Sequence, residues 1–221
     1  MAKIELLNLY AGLGGNTKKL DRSKYNITAV EINPKIAKFY QDNYHQDTVI
    51  VDDAHEYLLK HYKEYDFIWS SINCPTHSRA RFWASKGGKY QPEYPDMKLY
   101  EEIIFLEHFF EGGFVVENVK PYYEPLIKPT IEMDRHIFWS NFTITSYQVK
   151  SNYVFSGDDM KEVSQMLDID ISGYSFGVRK DKLIRNCVNP NLGLHILNCF
   201  EKAEAGGQKI NYGLFAQASI K

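Results

Sequence analysis

The chain has 221 residues, enough for one sizeable domain around a single core, since domains usually hold ~100–200 residues. Apolar residues make up 44% and charged residues 24%, a balance that excludes a disordered chain and a membrane-embedded one. The formal net charge of −2 gives no general attraction for nucleic acid, so any such binding must come from a local basic patch.

The longest apolar runs, such as Phe67 to Ile72, are far shorter than the ~20 residues of a transmembrane helix. The start "MAKIELLNLY" lacks a charged region followed by a long apolar segment. A cytoplasmic chain without a membrane partner is expected. The three cysteines, Cys74, Cys187 and Cys199, include no C-x-x-C pair, and their odd count fits reduced thiols better than a disulfide framework or structural zinc.

In chain order, "KIELLNLYAG" is an apolar strand ending in small residues, and "GGNTKKLDRSKY" reads as a glycine turn opening a helix. The pattern recurs in "ITAVEIN" then "PKIAKFYQDNYH", and in "TVIVDDA" then "HEYLLKHYKEY". It continues in "DFIWSSINCP" then, after a long loop, "DMKLYEEIIFLEHFF", with "GFVVENV" beyond. Strands alternating with helices of this length predict an α/β fold with a mostly parallel sheet covered on both faces. Past Ile131, "RHIFWSNFTITSYQVKSN" suggests strand pairs that place antiparallel strands at one edge. From about Gly157 to Lys182, turn formers surround the amphipathic "DMKEVSQMLDI", a candidate small insertion. With no repeat and no long linker, a single domain over 1–221 is expected.

The strand ends carry the chemistry. Gly12, Gly14 and Gly15 follow the first strand, where a missing Cβ lets backbone approach a ligand; a tight turn without a ligand would use the same residues. About 20 residues on, Glu31 ends the second strand where doubly wound folds place an acid for a ribose, and Asp52 and Asp53 end the third, near an adenine edge. Acids at such positions also cap helices. Together the three strand ends describe a nucleoside-binding crevice.

Cys74 follows the fourth strand, at the same sheet edge. A lone cysteine is most often a buried small hydrophobe, but Asn73, Pro75 and Thr76 argue for a turn and a partly exposed functional thiol. Glu117 and Asn118 end the fifth strand beside it, and a carboxyl there can move protons if its surroundings raise its pKa. The loop "THSRARFWASKGGKYQPEYP" interleaves Arg79, Arg81, Lys86 and Lys89 with Phe82, Trp83 and Tyr90, which suits phosphates and bases. It is a candidate lid over the crevice.

The ordered blocks "LNLYAGLGG", "AVEIN", "VDDA", "NCPTHS", "VVENV", "DRHIFWSNF" and "LIRNCVNPNLGLHIL" resemble the motifs of the DNA cytosine C5 methyltransferase family, particularly the short forms of phages and mobile elements. The match runs from Ile4 to Leu197. The resemblance implies a Rossmann-like S-adenosylmethionine-dependent methyltransferase fold, S-adenosylmethionine as cofactor, and a cytosine flipped from double-stranded DNA. By it, Cys74 attacks C6 of the ring, Glu117 holds N3 and the exocyclic amine, and Arg135 contacts O2 or supports the cysteine. The cofactor pocket it implies comprises Asn8, Tyr10, Ala11, Gly12, Gly14, Gly15, Glu31, Ile32, Asp53, Ala54, Asn73, Asn186 and Val188. The same motif set also serves a tRNA-modifying branch, and a noncatalytic S-adenosylmethionine-binding module is the alternative from another class.

The chain departs from the family pattern in several places. Asn73 stands where proline usually precedes the cysteine, Asn8 where an acid is common, and Tyr10 where phenylalanine is common. Arg135 and His136 stand side by side where two arginines are typical. About fifty residues separate Arg135 from Asn186, against a long target-recognition region in members that read a sequence. Residues 143–182 therefore make at most a reduced recognition insertion, and little or short sequence preference, or help from a protein partner, is expected.

Overall fold

Period-two burial builds the sheet from both sides. In β1 (Ile4–Leu9), Leu6 joins one core and Leu7 and Leu9 the other. In β4 (Phe67–Ser70), Phe67 and Trp69 face the first core and Ile68 the second. Such strands are buried on both faces and read as continuous apolar runs. The computed structural model describes residues 2–72, 75–88, 91, 93–133, 135–149 and 157–206.

With β2 (Tyr25–Val30), β3 (Thr48–Ile50), β5 (Gly113–Val119), β6 (Ile131–Met133) and β7 (His136–Ser140), the described strands form one sheet in the order β3-β2-β1-β4-β5-β7-β6. The first five are parallel, and β7 runs antiparallel to both β5 and β6. Helices cover both faces. Leu192, Ile196 and Phe200 of α7 (Pro190–Ala205) close the first core; Leu58 of α2 (Ala54–His61) and Leu99, Ile103 and Leu106 of α4 (Lys98–Phe109) close the second. Helix α1 (Pro34–Asn43) starts at Pro34 with Asn33 capping the Lys35 N–H. The α/β fold and the antiparallel edge agree with expectation.

Three local expectations need correction. No helix opens after the glycine turn; residues 11–24 run through successive turns. Arg22 fastens these turns: its guanidinium takes the carbonyls of Thr17, Lys18 and Leu20 at 2.7, 3.3 and 2.9 Å and is itself held by buried Asp47 at 2.8 Å. The Thr17 carbonyl also accepts the Leu20 N–H at 3.1 Å, an i→i−3 turn bond in place of an i→i−4 step. The lid loop contains a helix, α3 (Arg79–Lys86). The edge pair is β6 with β7, while residues 141–149 form no strand and 150–156 lie outside the described residues.

Residues beyond 157 join the domain core. α5 (Gly157–Leu167) and α6 (Lys180–Asn186) share a cluster with Leu13 of the glycine turn and Ile36 and Phe39 of α1, through Val163, Leu167, Ile169, Ile171, Phe176 and Ile184. The strand order reverses between β1 and β4, which opens a crevice beyond their carboxyl ends. None of the described helices is long and apolar enough to cross a membrane.

Candidate active site

The turn after β1 is left-handed at Tyr10 (φ 55°), Gly12 (53°) and Gly14 (73°). A Cβ on Gly12 would meet only the Tyr10 carbonyl at 3.8 Å, so the space over this glycine is open to a ligand. Gly15 is the opposite case, because a Cβ there would collide with the Val188 carbonyl and the Cys187 thiol. Gly193 of α7 is likewise pressed on the Asn16 backbone. The last motif block thus folds back onto the glycine turn through glycine contacts. Val188 is buried in that seam and Asn186 is exposed at the end of α6.

Asn8 is fully buried, and its amide pairs reciprocally with Asn16 at 2.7 and 3.3 Å. It braces the turn from below. Glu31 closes the turn from the β2 side: Gly12 N–H donates to Oε2 at 3.0 Å and Asn33 N–H to Oε1 at 2.9 Å. Burial raises its pKa against the lowering effect of these N–H donors. Ala11 is tied to β2 by its N–H to the Val30 carbonyl at 3.0 Å. Ile32 at 65% and Val51 at 56% exposure present apolar surface just past β2 and β3, where a flat base would find cover. Asp53 caps α2 through the N–H groups of His55 and Glu56, and Ala54 is buried in the first turn.

Sequence reasoning missed Glu102. This carboxylate of α4 is fully buried and accepts from Tyr10 OH at 2.6 Å and Ser70 Oγ at 2.6 Å, with His55 Nδ1 at 3.1 Å. It joins the ends of β1 and β4 to α2. The hydrogen bond to Glu102 raises the His55 pKa and, after burial, the Glu102 charge raises that of Tyr10. Tyrosine at position 10, where the family pattern has phenylalanine, supplies the hydroxyl this network uses.

Glu117 lies on β5 with 6% exposure, and burial pushes its pKa up to about 7 against the opposing pulls of Ser71 and Arg135. His136 Nε2 stands 3.4 Å from Glu117 Oε1, and burial, with Arg135 and Lys120 nearby, drives the imidazole down to about 3. The imidazole is therefore neutral. Arg135 is placed at the turn into β7 and contributes its charge to both neighbours. Next to Glu117, Asn118 donates to the Ile72 carbonyl at 3.3 Å and so ties the exit of β4 to β5.

Cys74 and Asn73 follow that exit and lie outside the described residues. The chain after them is clamped. His77, fully buried, meets the Asp96 carbonyl through Nε2 at 3.1 Å and Tyr123 OH through Nδ1 at 2.5 Å. A carbonyl can only accept, so Nε2 carries the proton and Nδ1 accepts from the tyrosine. Burial lowers the His77 pKa, which keeps the ring neutral. Asp96 N–H also donates to Thr76 Oγ1 at 3.0 Å.

Of the basic residues expected to bind nucleic acid, Arg79 donates Nε–H to the Pro121 carbonyl at 2.8 Å. Lys86 lies over the rings of Phe82 and Trp83, 4.7 and 5.6 Å from their centroids. Arg81 stands on α3, but its side chain and Lys89 lie outside the described residues.

A glycine cradle, a strand-end acid and a buried carboxyl with a raised pKa thus ring one crevice. The family model for C-5 cytosine-specific DNA methylase matches residues 4–155. The chain belongs to this methylase family. No curated protein sequence matches the methylase chain. Among solved structures, the Entamoeba histolytica methyltransferase EhMeth superposes with a TM-score of 0.55 at 10% identity, over 92% of this chain and 99% of that one, a likeness of fold alone. An S-adenosylmethionine-dependent methyltransferase from Agrobacterium tumefaciens matches with a TM-score of 0.40 and 14% identity over 55% of this chain. A DNMT2 variant from Spodoptera frugiperda matches with a TM-score of 0.37 and 22% identity over 53% of it. The methylase chain spans 40% and 36% of those two proteins' lengths.

Proposed function

We propose that the chain transfers a methyl group from S-adenosylmethionine to C5 of a cytosine flipped out of double-stranded DNA. The observation that carries the reading is Glu117: a buried carboxyl at the crevice, brought to about 7, one strand from the exit that leads to Cys74. S-adenosylmethionine supplies an electrophilic methyl group when bound. The cradle suits it: the open backbone of Gly12 admits its main chain, Glu31 and Asp53 offer acceptors, and Ile32 covers its base. Asn8, Tyr10, Ala11, Gly14, Gly15, Ala54 and Val188 hold that cradle in shape, with exposed Asn186 at the end of α6; Asn73 is assigned to the pocket by its motif alone.

Cytosine C5 is a weak nucleophile, and addition of the Cys74 thiolate to C6 moves electron density onto it. Glu117, protonated about half the time near neutrality, hydrogen-bonds N3 as negative charge develops and accepts from the exocyclic amine when ionised. Arg135 contacts O2. Once C5 has taken the methyl group, a base removes the C5 proton, the freed C–H electron pair re-forms the C5–C6 double bond, and the Cys74 thiolate leaves C6. Arg79, Arg81, Lys86 and Lys89 meet the phosphates.

The core shared by α1, α5 and α6 supports reading 1–221 as one domain; 143–182 is read as a reduced recognition segment that Val163, Leu167, Ile169, Ile171 and Phe176 anchor to that core. That leaves little chain for base readout, so we expect short sequence preference or a protein partner. Cys187 and Cys199, both buried and in no disulfide, suit the cytoplasm.

The test is transfer of labelled methyl to unmethylated duplex DNA, run beside Cys74→Ser. Label at cytosine C5 that depends on Cys74 is the expected result. Label on tRNA alone would move the substrate to RNA. Cofactor binding without a covalent adduct to 5-fluorocytosine DNA would leave a noncatalytic module. A bisulfite map showing one long recognition site would overturn the expectation of short specificity.

A further inference from the structure

Glu102 sits on the apolar face of α4, among Leu99, Ile103 and Leu106, and is fully buried. Burying a carboxylate there is costly unless its lone pairs are used, and a leucine would fill the same face without that cost. Its two oxygens reach three separate segments: Tyr10 OH just past β1, Ser70 Oγ at the end of β4, and His55 Nδ1 in the first turn of α2, which follows β3. One side chain thus joins the exits of three strands that run out onto the crevice.

Tyr10 is the member that needs holding. Its backbone is left-handed at φ 55°, a region that costs a residue other than glycine roughly tenfold in population. Strain of this kind persists only where the surroundings fix it, and it gathers at ligand sites. The fixing contact is the 2.6 Å hydrogen bond from the Tyr10 hydroxyl to Glu102. The same carboxylate steadies the turn that carries Asp53, because Asp53 accepts the His55 N–H at 2.9 Å while the His55 ring meets Glu102.

We propose that Glu102 is a positioning residue for S-adenosylmethionine: by holding the Tyr10 hydroxyl, it keeps the left-handed turn in its binding shape before the cofactor arrives. The inference rests on the methyltransfer reading above, in which Tyr10 belongs to the cofactor cradle. Without that hold the turn relaxes out of the left-handed state, and apparent affinity falls with the fraction of molecules that keep it, about tenfold. Fully buried Glu102 has no surface to offer the cofactor, so its effect passes through the tyrosine.

The test is isothermal titration of the full chain with S-adenosylhomocysteine, well below the melting temperature of each variant. Tyr10→Phe removes only the hydroxyl and should weaken binding about tenfold. Glu102→Leu, with Glu102→Met in case the leucine variant melts early, should weaken it by a similar factor. Adding Tyr10→Phe to either Glu102 variant should cost nothing further, because both changes break the same contact. A lowered melting temperature with native affinity in the folded variants overturns the positioning role and leaves Glu102 a structural one. Losses that multiply in the double variant also overturn it, since hydroxyl and carboxylate would then act separately. Failure of the native protein to bind S-adenosylhomocysteine overturns the methyltransfer reading, and the positioning role with it.

Discussion

Glu117 Oε1 and His136 Nε2 lie 3.4 Å apart on the β5–β7 pair, each side chain 8% exposed. Burial pushes the carboxyl up to about 7 and the imidazole down to about 3, so near neutral pH the pair carries at most one partial charge. Replacing Glu117 by Gln keeps the shape and removes the titrating proton. Single-turnover methyl transfer should fall by ~10²–10⁴-fold, with S-adenosylhomocysteine binding unchanged. In the native protein the transfer rate should decline as pH rises through about 7. A flat profile above neutrality would remove Glu117 from the proton's path.

The same pair sets opposing stability trends. Glu117 binds its proton more tightly folded than unfolded, so stability falls as pH climbs from 4.5 to about 7, by on the order of 3 kcal/mol. His136 behaves oppositely, since the unfolded chain takes up a proton near 6.5 and the folded one only near 3. Stability is lost as pH falls through that window. Urea denaturation across pH should therefore show a steeper rise with pH for Glu117→Gln, and a shallower one for His136→Asn, between 4.5 and 6.5.

Glu102 holds three groups that would otherwise be buried without it. Glu102→Ala leaves Tyr10, Ser70 and His55 without their acceptor and should cost ~3–5 kcal/mol of unfolding free energy. Tyr10→Phe removes one donor and should cost ~1–3 kcal/mol. Thermal melts beside cofactor titrations would measure both, and an unaltered Glu102→Ala melt would mean that water replaces the carboxylate.

Gly12 and Gly15, three residues apart, should separate binding from folding. Gly12 meets open space but is left-handed, so Gly12→Ala should cost only ~1–2 kcal/mol in stability while weakening S-adenosylhomocysteine binding. Gly15→Ala drives a methyl into the Val188 backbone and should destabilise the fold more than it alters binding by the folded fraction. Isothermal titration on both variants decides whether the order is reversed.

Much of the crevice was legible because its signals are local. The run "GFVVENV" forms β5 residue for residue and delivers Glu117 to the sheet edge, since a short run rich in valine that opens on glycine reports a strand buried on both faces. Glu31, Asp53 and the glycine turn sit at successive strand ends for the same reason, and Asp53 also does the helix capping that its position allows. The turns in place of a helix at 11–24 escaped notice. Nothing near Arg22 in the sequence announces that its guanidinium will take three carbonyls under the hold of Asp47.

The sequence by itself determined the alternation of strands and helices, the order of the motifs and the chemistry available at each strand end, because periodicity and turn residues act over a few neighbours. Only the tertiary structure decided how those residues behave. The Glu117 carboxyl reaches about 7 through desolvation, which depends on everything packed round it. Glu102 is a hub because α4 lies across the ends of β1 and β4, ninety-two residues from Tyr10. Long-range packing sets dielectric, hydrogen-bond partners and close approach, and none of these is a property of a short stretch of chain.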